Sequence, residues 1–484
     1  MSAITLAILL PALGAIGVLL TGKRPDLREG VTLLSGALTF ATVLSLLPGV
    51  LSGEAPGTEW LEVLPGVSLA FEIEPLGMLF ALVASGLWIP TSLYAVGYMR
   101  SHQEKNQTRF FACFALAISA ALGIAFARNL FTLFLFYEAL TFSTYPLVTH
   151  HGTEEAKRAG RVYLGILVFT SVVFLLFGIL WTWSLVGTLE FRPGGILETA
   201  PKKLIPWLLA LYAFGTGKAA LMPFHRWLPN AMVAPTPVSA LLHAVAVVKA
   251  GVFTVLKVVV YVFGLDLLSS TGASQWLMAV AAFTMVAASL RALTLDNLKA
   301  RLAYSTISQL AYIVLAAALA TGMSVLGGSM HIAMHAVGKI TLFFCAGAIY
   351  VASHKKKVSE LDGIGRRMPW TMGAFFVGSL SIIGIPPLGG AWSKWFMGVG
   401  AVDGGNTAYV AVYMISSLLS IGYLMPILVR AWFKPESPDD HHEHGEAPLL
   451  CVVPICFTAA ACLVLFFCAD GLYRLLLPLT GAGG

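Results

Sequence analysis

The chain has 484 residues, 58% of them hydrophobic and only 11% charged, with a formal net charge of +6. Soluble domains are about 25% charged, so this composition excludes one and indicates a polytopic membrane protein. The positive balance does not suggest nucleic acid as a partner, because most Lys and Arg sit in short loops between apolar runs, where positive charge reports topology.

The first run, MSAITLAILLPALGAIGVLL, has no basic residue ahead of it; Lys23 and Arg24 follow it instead. This predicts a retained first helix with the N-terminus outside, not a cleaved signal peptide. Runs long enough to span a bilayer occur near 2–20, 31–51, 74–98, 109–127, 129–149, 161–187, 204–224, 236–263, 275–292, 301–320, 325–352, 372–396, 407–432 and 449–477, which predicts an all-α membrane protein of about fourteen helices. The fourth and fifth runs are one apolar block split only by Arg128-Asn129.

The loops between them alternate in charge. Loops 21–30, 99–109, 150–161 and 353–371 are basic, 52–73 is acidic through Glu54, Glu59, Glu62 and Glu72, and 264–274, 321–324 and 397–406 hold no Lys or Arg. Only 188–203 is mixed. Basic loops mark the cytoplasmic side, and an even helix count puts both termini outside. The late polar stretch 434–447, with His441, His442 and His444, reads as a solvated linker, since nothing nearby supplies a rigid scaffold for a metal. The six cysteines, Cys113, Cys345, Cys451, Cys456, Cys462 and Cys468, form no CxxC and lie in or at the ends of apolar runs, so they read as small core or lipid-facing residues.

Two lysines stand inside the apolar runs beside Gly and Pro: Lys218 in GTGKAALMPFHRWLP (215–229) and Lys394 in GIPPLGGAWSKW (384–395). A lysine at the bilayer centre costs roughly 2.5–3.5 kcal/mol on insertion scales. The two lie at corresponding places in blocks 109–263 and 275–432, each of about five spans. Tandem units with an odd number of spans are inverted relative to one another, and inverted repeats with broken helices characterise ion-coupled transporters. The expected organisation is one membrane domain over 1–484: N-terminal helices 1–108, repeat one 109–263, repeat two 275–432 and a C-terminal helix 449–484, with the seventh and twelfth helices discontinuous.

The other ionisable residues inside the runs are few: Glu138 in LFYEALTFSTYP, His243 and Lys249 in SALLHAVAVVKAG, Lys257, and His331, His335 and Lys339 in HIAMHAVGK. The last three recur at i, i+4 and i+8, one face of one helix. Such a face points at protein or water, not lipid. Burial favours the neutral form of a lysine and a nearby carboxylate favours the charged one. Lys218 paired with Glu138 is therefore expected to hold a proton and to release it when the pair separates. Lys249, His243, His331, His335 and Lys339 are the expected relay to Lys394, with histidine suited by its pKa near 6.5. Lys257, close to the external end, reads as a snorkelling anchor. Glu72 and Glu74 read as capping or water-facing residues, His225 as a helix-end residue either structural or functional, and Asp296, Lys299 and Arg301 as loop charges at a cytoplasmic helix start. No P-loop, metal spacing, GxSxG or Rossmann glycine pattern occurs, so neither metal nor cofactor is expected. The drive has to come from an ion gradient or from partner subunits.

The segments KAALMPFHRWLPNAMVAPTPVSALLHA (218–244), LKARLAYSTISQLAYI (298–313), HIAMHAVGKITLFFCAG (331–347) and GIPPLGGAWSKW (384–395) resemble the antiporter-like subunits of respiratory complex I, membrane-bound hydrogenases and Mrp cation/proton antiporters. The resemblance implies fourteen helices, two inverted five-helix repeats and a central chain of protonatable groups. By motif, Glu138 matches the family's fifth-helix glutamate, Lys218 and Lys249 its seventh- and eighth-helix lysines, and Lys394 that of the twelfth. Tyr137 stands where the family often has Trp, Gly390-Ala391 where Gly-Phe is common, and Glu74 where Asp is frequent. Length and Lys394 look most like the D-type component of Mrp antiporters.

What the resemblance implies is a proton-translocating subunit of an Mrp-type Na+/H+ antiporter, in a bacterial or archaeal cytoplasmic membrane and with other membrane subunits as partners. Two alternatives stand beside it. One is a pump subunit of a complex I-like or hydrogenase complex, and so part of a redox enzyme; the other is a structural subunit that conducts nothing. The interior offers one firm carboxylate, Glu138, with Thr141, Ser143 and Thr144 nearby, so protons are assigned to this chain and any sodium path is expected to lie partly in a partner.

Overall fold

The structure is a computed structural model that describes residues 2–241, 245–435 and 445–481. His243 and the linker histidines His441, His442 and His444 lie outside the described residues. The chain opens with α1 (Ala3–Leu20) and α2 (Pro25–Leu51), then a hairpin of β1 (Gly57–Leu64) and β2 (Val67–Glu72). α3 (Pro75–Ser101), α4 (Gln107–Ala125) and α5 (Leu130–Val148) follow. α6 (Glu154–Phe169) runs through a π-helical turn, Thr170–Leu175, into α7 (Leu176–Val186), making one span of 33 residues.

The next stretch is fragmented: α8 (Ile205–Gly215), a 3-10 turn at Gly217–Ala219, and the short α9 (Trp227–Asn230) and α10 (Thr236–Ala240). α11 (Val247–Val258) and its π turn bend by 82° into α12 (Leu265–Thr271). α13 (Gln275–Thr294), α14 (Leu298–Leu319) and α15 (Gly322–Ser353) are continuous. α16 (Ile364–Arg367) leads to α17 (Pro369–Ile383) and α18 (Gly390–Asp403), separated by an irregular segment. α19 (Ala408–Phe433), α20 (Leu449–Phe467) and α21 (Ala469–Leu476) complete the chain.

Among the described residues, eleven helices are long and apolar enough to cross a membrane, or twelve counting the bent pair. The expected spans 204–224 and 372–396 are not continuous helices, which is why this number falls below the fourteen expected. α14 and α15 form the centre; the most apolar window of α15 is entirely buried, whereas that of α2 is mostly open. Large apolar side chains cover the outside, among them Leu20 (82% exposed), Phe433 (79%) and Leu449 (77%). So much exposed apolar surface is stable in lipid and not in water, and the molecule is an integral membrane protein.

The acidic loop 52–73 contains the hairpin. β1 and β2 pair antiparallel from Gly57↔Glu72 to Leu64↔Val67, turning at Pro65-Gly66, where Gly66 takes φ +78°. β2 packs against the end of α4, and Glu72 N–H donates to Phe126 O at 2.7 Å. Asn129 ends the apolar block at the expected break. Its Oδ1 accepts from Thr132 N–H at 2.8 Å, capping α5, and its Nδ2 donates to Ser68 O at 2.8 Å, tying the hairpin to that helix. Loss of such a cap costs about 0.5–2 kcal/mol. Asn129→Ala is therefore expected to lower the Tm of the detergent-solubilised protein, and Asn129→Ser, which keeps a capping oxygen, to recover part of the loss.

Candidate functional site

The first helix break is built on Lys218. α8 stops at Gly215, and Lys218 sits fully buried in the 3-10 turn that follows. Its ammonium donates to Tyr137 O at 2.8 Å and to Thr141 Oγ1 at 2.6 Å, and lies 3.2 Å from the centroid of the Tyr137 ring. Its backbone N–H donates to Tyr137 OH at 3.1 Å. A cation over an aromatic face with two oxygen acceptors is well satisfied without a counter-charge.

The expected Glu138–Lys218 ion pair is not formed. Tyr137 and Thr141 take its place, and Glu138 Oε1 is buried with no hydrogen-bond partner among the described residues. The break is clamped from both sides. A Cβ on Gly217 would come within 2.2 Å of Thr170 Oγ1 in the π turn, and one on Gly251 of α11 within 2.3 Å of the Lys218 carbonyl carbon. Trp227 Nε1–H donates to Gly217 O at 3.0 Å, holding the segment beyond the break.

The middle of the site is the face of α15. Lys249, His331, His335 and Lys339 are each 0–1% exposed. Lys249 Nζ donates to His335 Nδ1. His335 stacks on His331, 5.6 Å between centroids, and His331 stacks on Tyr312 at 5.8 Å. His331 Nε2–H donates to Gln309 Oε1 at 3.1 Å, and its Nδ1 shares a hydrogen bond with Ser393 Oγ at 2.8 Å. Lys339 Nζ donates to Ser305 Oγ at 2.6 Å, and Ser305 donates to Tyr423 OH at 2.9 Å.

The second break holds Lys394. α17 ends at Gly384, which takes φ +93°, and α18 begins at Gly390. The Lys394 ammonium donates to Ile382 O and Ile383 O, both at 2.9 Å, and to Ser417 Oγ at 3.0 Å. The first two are carbonyls left free at the end of α17, the negative end of that helix. Ser417 shares a hydrogen bond with Tyr312 OH at 3.2 Å, and the Tyr312 ring lies 4.7 Å from the ammonium. Lys394 also lines a cavity of about 740 Å³ with Trp392, Trp395 and Met414.

The structure therefore brings Lys249, His331, His335 and Lys394 into one contiguous line and hangs Lys339 beside it. Lys218 reaches this line through the backbone contact at Gly251, not through a side chain. Reading the sequence alone missed the groups that bond the lysines and His331: Tyr137, Thr141, Ser305, Gln309, Tyr312, Ser393 and Ser417. One signal was present, since Ser305, Gln309 and Tyr312 recur at i, i+4 and i+7 on one face of α14.

Lys257 is a correction. It does not snorkel: it is 0% exposed, pairs with Glu74 Oε1 at 3.1 Å and donates to Ala127 O at 2.8 Å. Tyr261 OH donates to Glu74 Oε2 at 3.0 Å, and Glu74 also caps α3 through the N–H groups of Leu76 and Gly77. The charges at 296–301 are not merely solvated. Asp296 accepts from both the N–H and the hydroxyl of Ser359, which hold its carboxyl below the usual range. Lys299 donates to Ala234 O at 2.7 Å, and Arg301 donates to Leu295 O and Tyr423 O. Removing one member of a buried ion pair costs about 3–5 kcal/mol, much more than removing both. Glu74→Gln and Lys257→Met are each expected to lower the Tm in detergent, and the double variant to lie closer to the wild type than either.

The family model for the transmembrane part of NADH:quinone oxidoreductase/Mrp antiporter proteins matches residues 127–420, and that for the N-terminus of chain 5 of NADH-ubiquinone oxidoreductase (complex I) matches residues 60–111. A relative from Desulforudis audaxviator, named as the N-type component of NADH-quinone oxidoreductase, is 31% identical over 81% of this chain and 80% of its own. Another, from Alkalihalophilus pseudofirmus and named as the D-type component of a Na(+)/H(+) antiporter, is 26% identical over 82% of this chain and 80% of its own. Of three longer relatives, named as antiporter or hydrogenase components, the chain spans only 44–57%. A chain in the structure of the Mrp complex from a Dietzia species superposes with TM-score 0.89 at 21% identity, covering 99% of this chain and 96% of that one, which shows a common fold.

Proposed function

The chain belongs to the NADH:quinone oxidoreductase/Mrp antiporter family of membrane subunits, and from that premise we propose that it is a proton-translocating subunit of an Mrp-type monovalent cation/proton antiporter. The observation that carries the reading is the buried line Lys249–His335–His331–Lys394. A helix face with two imidazoles and flanking amines, bonded to one another and to hydroxyl, amide and carbonyl groups, can pass charge along without a fixed counter-ion. A neutral amine accepts a proton from an adjacent imidazolium, and each acceptance raises the electrostatic cost of the next charge nearby. Among the described residues Glu138 is the acidic neighbour that acts on Lys218, and movement that brings its Oε1 to the ammonium would trap the proton there.

The same reading assigns proton transfer to Glu138, Lys218, Lys249 and Lys394, and relay to His243, which lies outside the described residues, and to His331, His335 and Lys339. It includes two inverted repeats over 109–263 and 275–432, each with one lysine-bearing break, both termini outside a bacterial or archaeal cytoplasmic membrane, and neighbouring membrane subunits as partners. The relative named as the D-type component of a Na(+)/H(+) antiporter, matched over four-fifths of both chains, supports the antiporter class. The 31% identity to the relative named for NADH-quinone oxidoreductase supports a second reading, a pump module powered by redox chemistry elsewhere in a complex. Co-purification separates the two, since a redox complex brings iron–sulfur proteins with it.

The test is charge without titration. Arginine keeps its proton at any working pH. In membranes holding the assembled complex, Lys218→Arg and Lys394→Arg are expected to abolish proton translocation while leaving assembly intact, and Glu138→Ala to abolish it as well. Translocation that survives Lys218→Arg or Glu138→Ala removes the reading and leaves a structural, non-conducting component.

A further inference from the structure

The cavity of about 740 Å³ at the second break is a groove between α18 and α19. Its size falls in the range of roughly 300–1,000 Å³ found for ligand pockets. Lys394, Trp395 and Gly398 line it from α18, and Met414 and Ser417 from α19. The rim is apolar and open, with Trp395 64% and Met414 62% exposed. Such side chains belong in lipid, so the groove opens sideways into the bilayer. Asp403, exposed, lines the far end, about 14 Å beyond Lys394 at the ~1.5 Å rise per residue of α18. Two features mark the groove as a place for a ligand. The Lys394 ammonium bonds only neutral oxygens, those of Ile382, Ile383 and Ser417. Its charge is left without an anion on a side where lipid supplies neither water nor counter-ion. Gly398 stands inside α18, where glycine costs roughly 0.5–1 kcal/mol relative to Ala. A Cβ there would meet no described atom within 4 Å, so the missing side chain serves no packing among the described residues and keeps the groove open.

We propose that the groove binds a single-chain lipophilic carboxylic acid, its head at Lys394 and its tail along Trp395 and Met414 toward the lipid. A carboxylic acid suits this entrance better than a phospholipid because it can cross hydrocarbon in its neutral form, whereas a phosphodiester stays an anion. On arrival the carboxyl O–H bond breaks and its proton forms an N–H bond on the neutral Lys394 amine. A carboxylate is left against an ammonium, and no other bond changes. The carboxylate takes the N–H now donated to Ser417 Oγ, the longest of the three bonds at 3.0 Å, in a charge-assisted hydrogen bond. Asp403 repels the head from the other end, which fixes the direction of binding. The bound anion holds Lys394 charged, so the ligand is an inhibitor wherever Lys394 carries protons. The binding itself does not rest on that role.

The test is photolabelling of the assembled complex in lipid nanodiscs, with palmitic acid bearing a diazirine near its tail end and with the methyl ester of the same probe. The acid is expected to label peptides of α18 and α19 several-fold more than the ester, and unlabelled palmitic acid to compete. Gly398→Leu fills the groove, and its Cβ meets nothing. It is expected to abolish the excess labelling, as is Lys394→Met, while Lys394→Arg is expected to keep it. Gly398→Leu decides the matter even where Lys394→Met fails to assemble. Equal labelling by acid and ester, or wild-type labelling in Gly398→Leu, overturns the proposal. So does competition by phosphatidylglycerol as strong as that by palmitic acid, or α18 and α19 left unlabelled beneath a neighbouring subunit. Transport that survives Lys218→Arg removes the proton-carrier reading and leaves the labelling result standing.

Discussion

An ammonium inside a bilayer has to find its hydrogen-bond acceptors within the protein, because lipid offers none. That constraint organises this molecule. An unbroken helix has no carbonyl to spare, since each is taken by the N–H four residues on. The chain meets the demand at Lys394 by stopping α17 early, so that the carbonyls of Ile382 and Ile383 are left to accept. At Lys218 it meets it differently, with one carbonyl and one hydroxyl of a neighbouring helix and an aromatic face beneath. In both places the acceptors are neutral. The lysines are held without a carboxylate bonded to either ammonium, which the proposed role as proton carriers requires.

The two breaks differ in access. Lys218 is sealed by α11, the π turn and Trp227, and its ammonium bonds one carbonyl and one hydroxyl of α5. Lys394 is partly buried and borders a cavity whose other walls are mostly apolar and aromatic. The line between them is not uniform either. It runs through direct contacts from Lys249 onward, whereas the step from Lys218 to Lys249 passes along backbone. On the proposed reading, a chain of stations with one wide interval has a natural place for control, since charge would not cross that interval until something moves or is inserted.

Much of this was legible in the sequence, and the reason is energetic. A lysine in an apolar run beside Gly and Pro is costly enough to be conspicuous, so Lys218, Lys394 and the breaks around them stood out. The face of His331, His335 and Lys339 followed from helical spacing alone. The acceptors did not stand out, because Ser, Thr and Tyr are common in membrane helices and are satisfied locally in most of them. Tyr137 became important only when α5 and the broken segment were seen to cross. The partner of Lys257 was hidden for a similar reason: Glu74 is far away in the chain, and each residue had a plausible solitary explanation. The hairpin at 57–72 escaped because charge was read there before alternation, although Pro65-Gly66 is a turn signal.

The contact at Gly251 has a mechanical corollary. Two backbones meet there with no side chain to cushion them, so the turn bearing Lys218 cannot shift without pushing α11. Lys249 rides on the same rigid rod only two residues further back, and its grip on His335 is the first thing such a push would loosen. Displacement in one half of the molecule is thus geared to the other by a touch of main chain on main chain, ahead of any signal carried by charge.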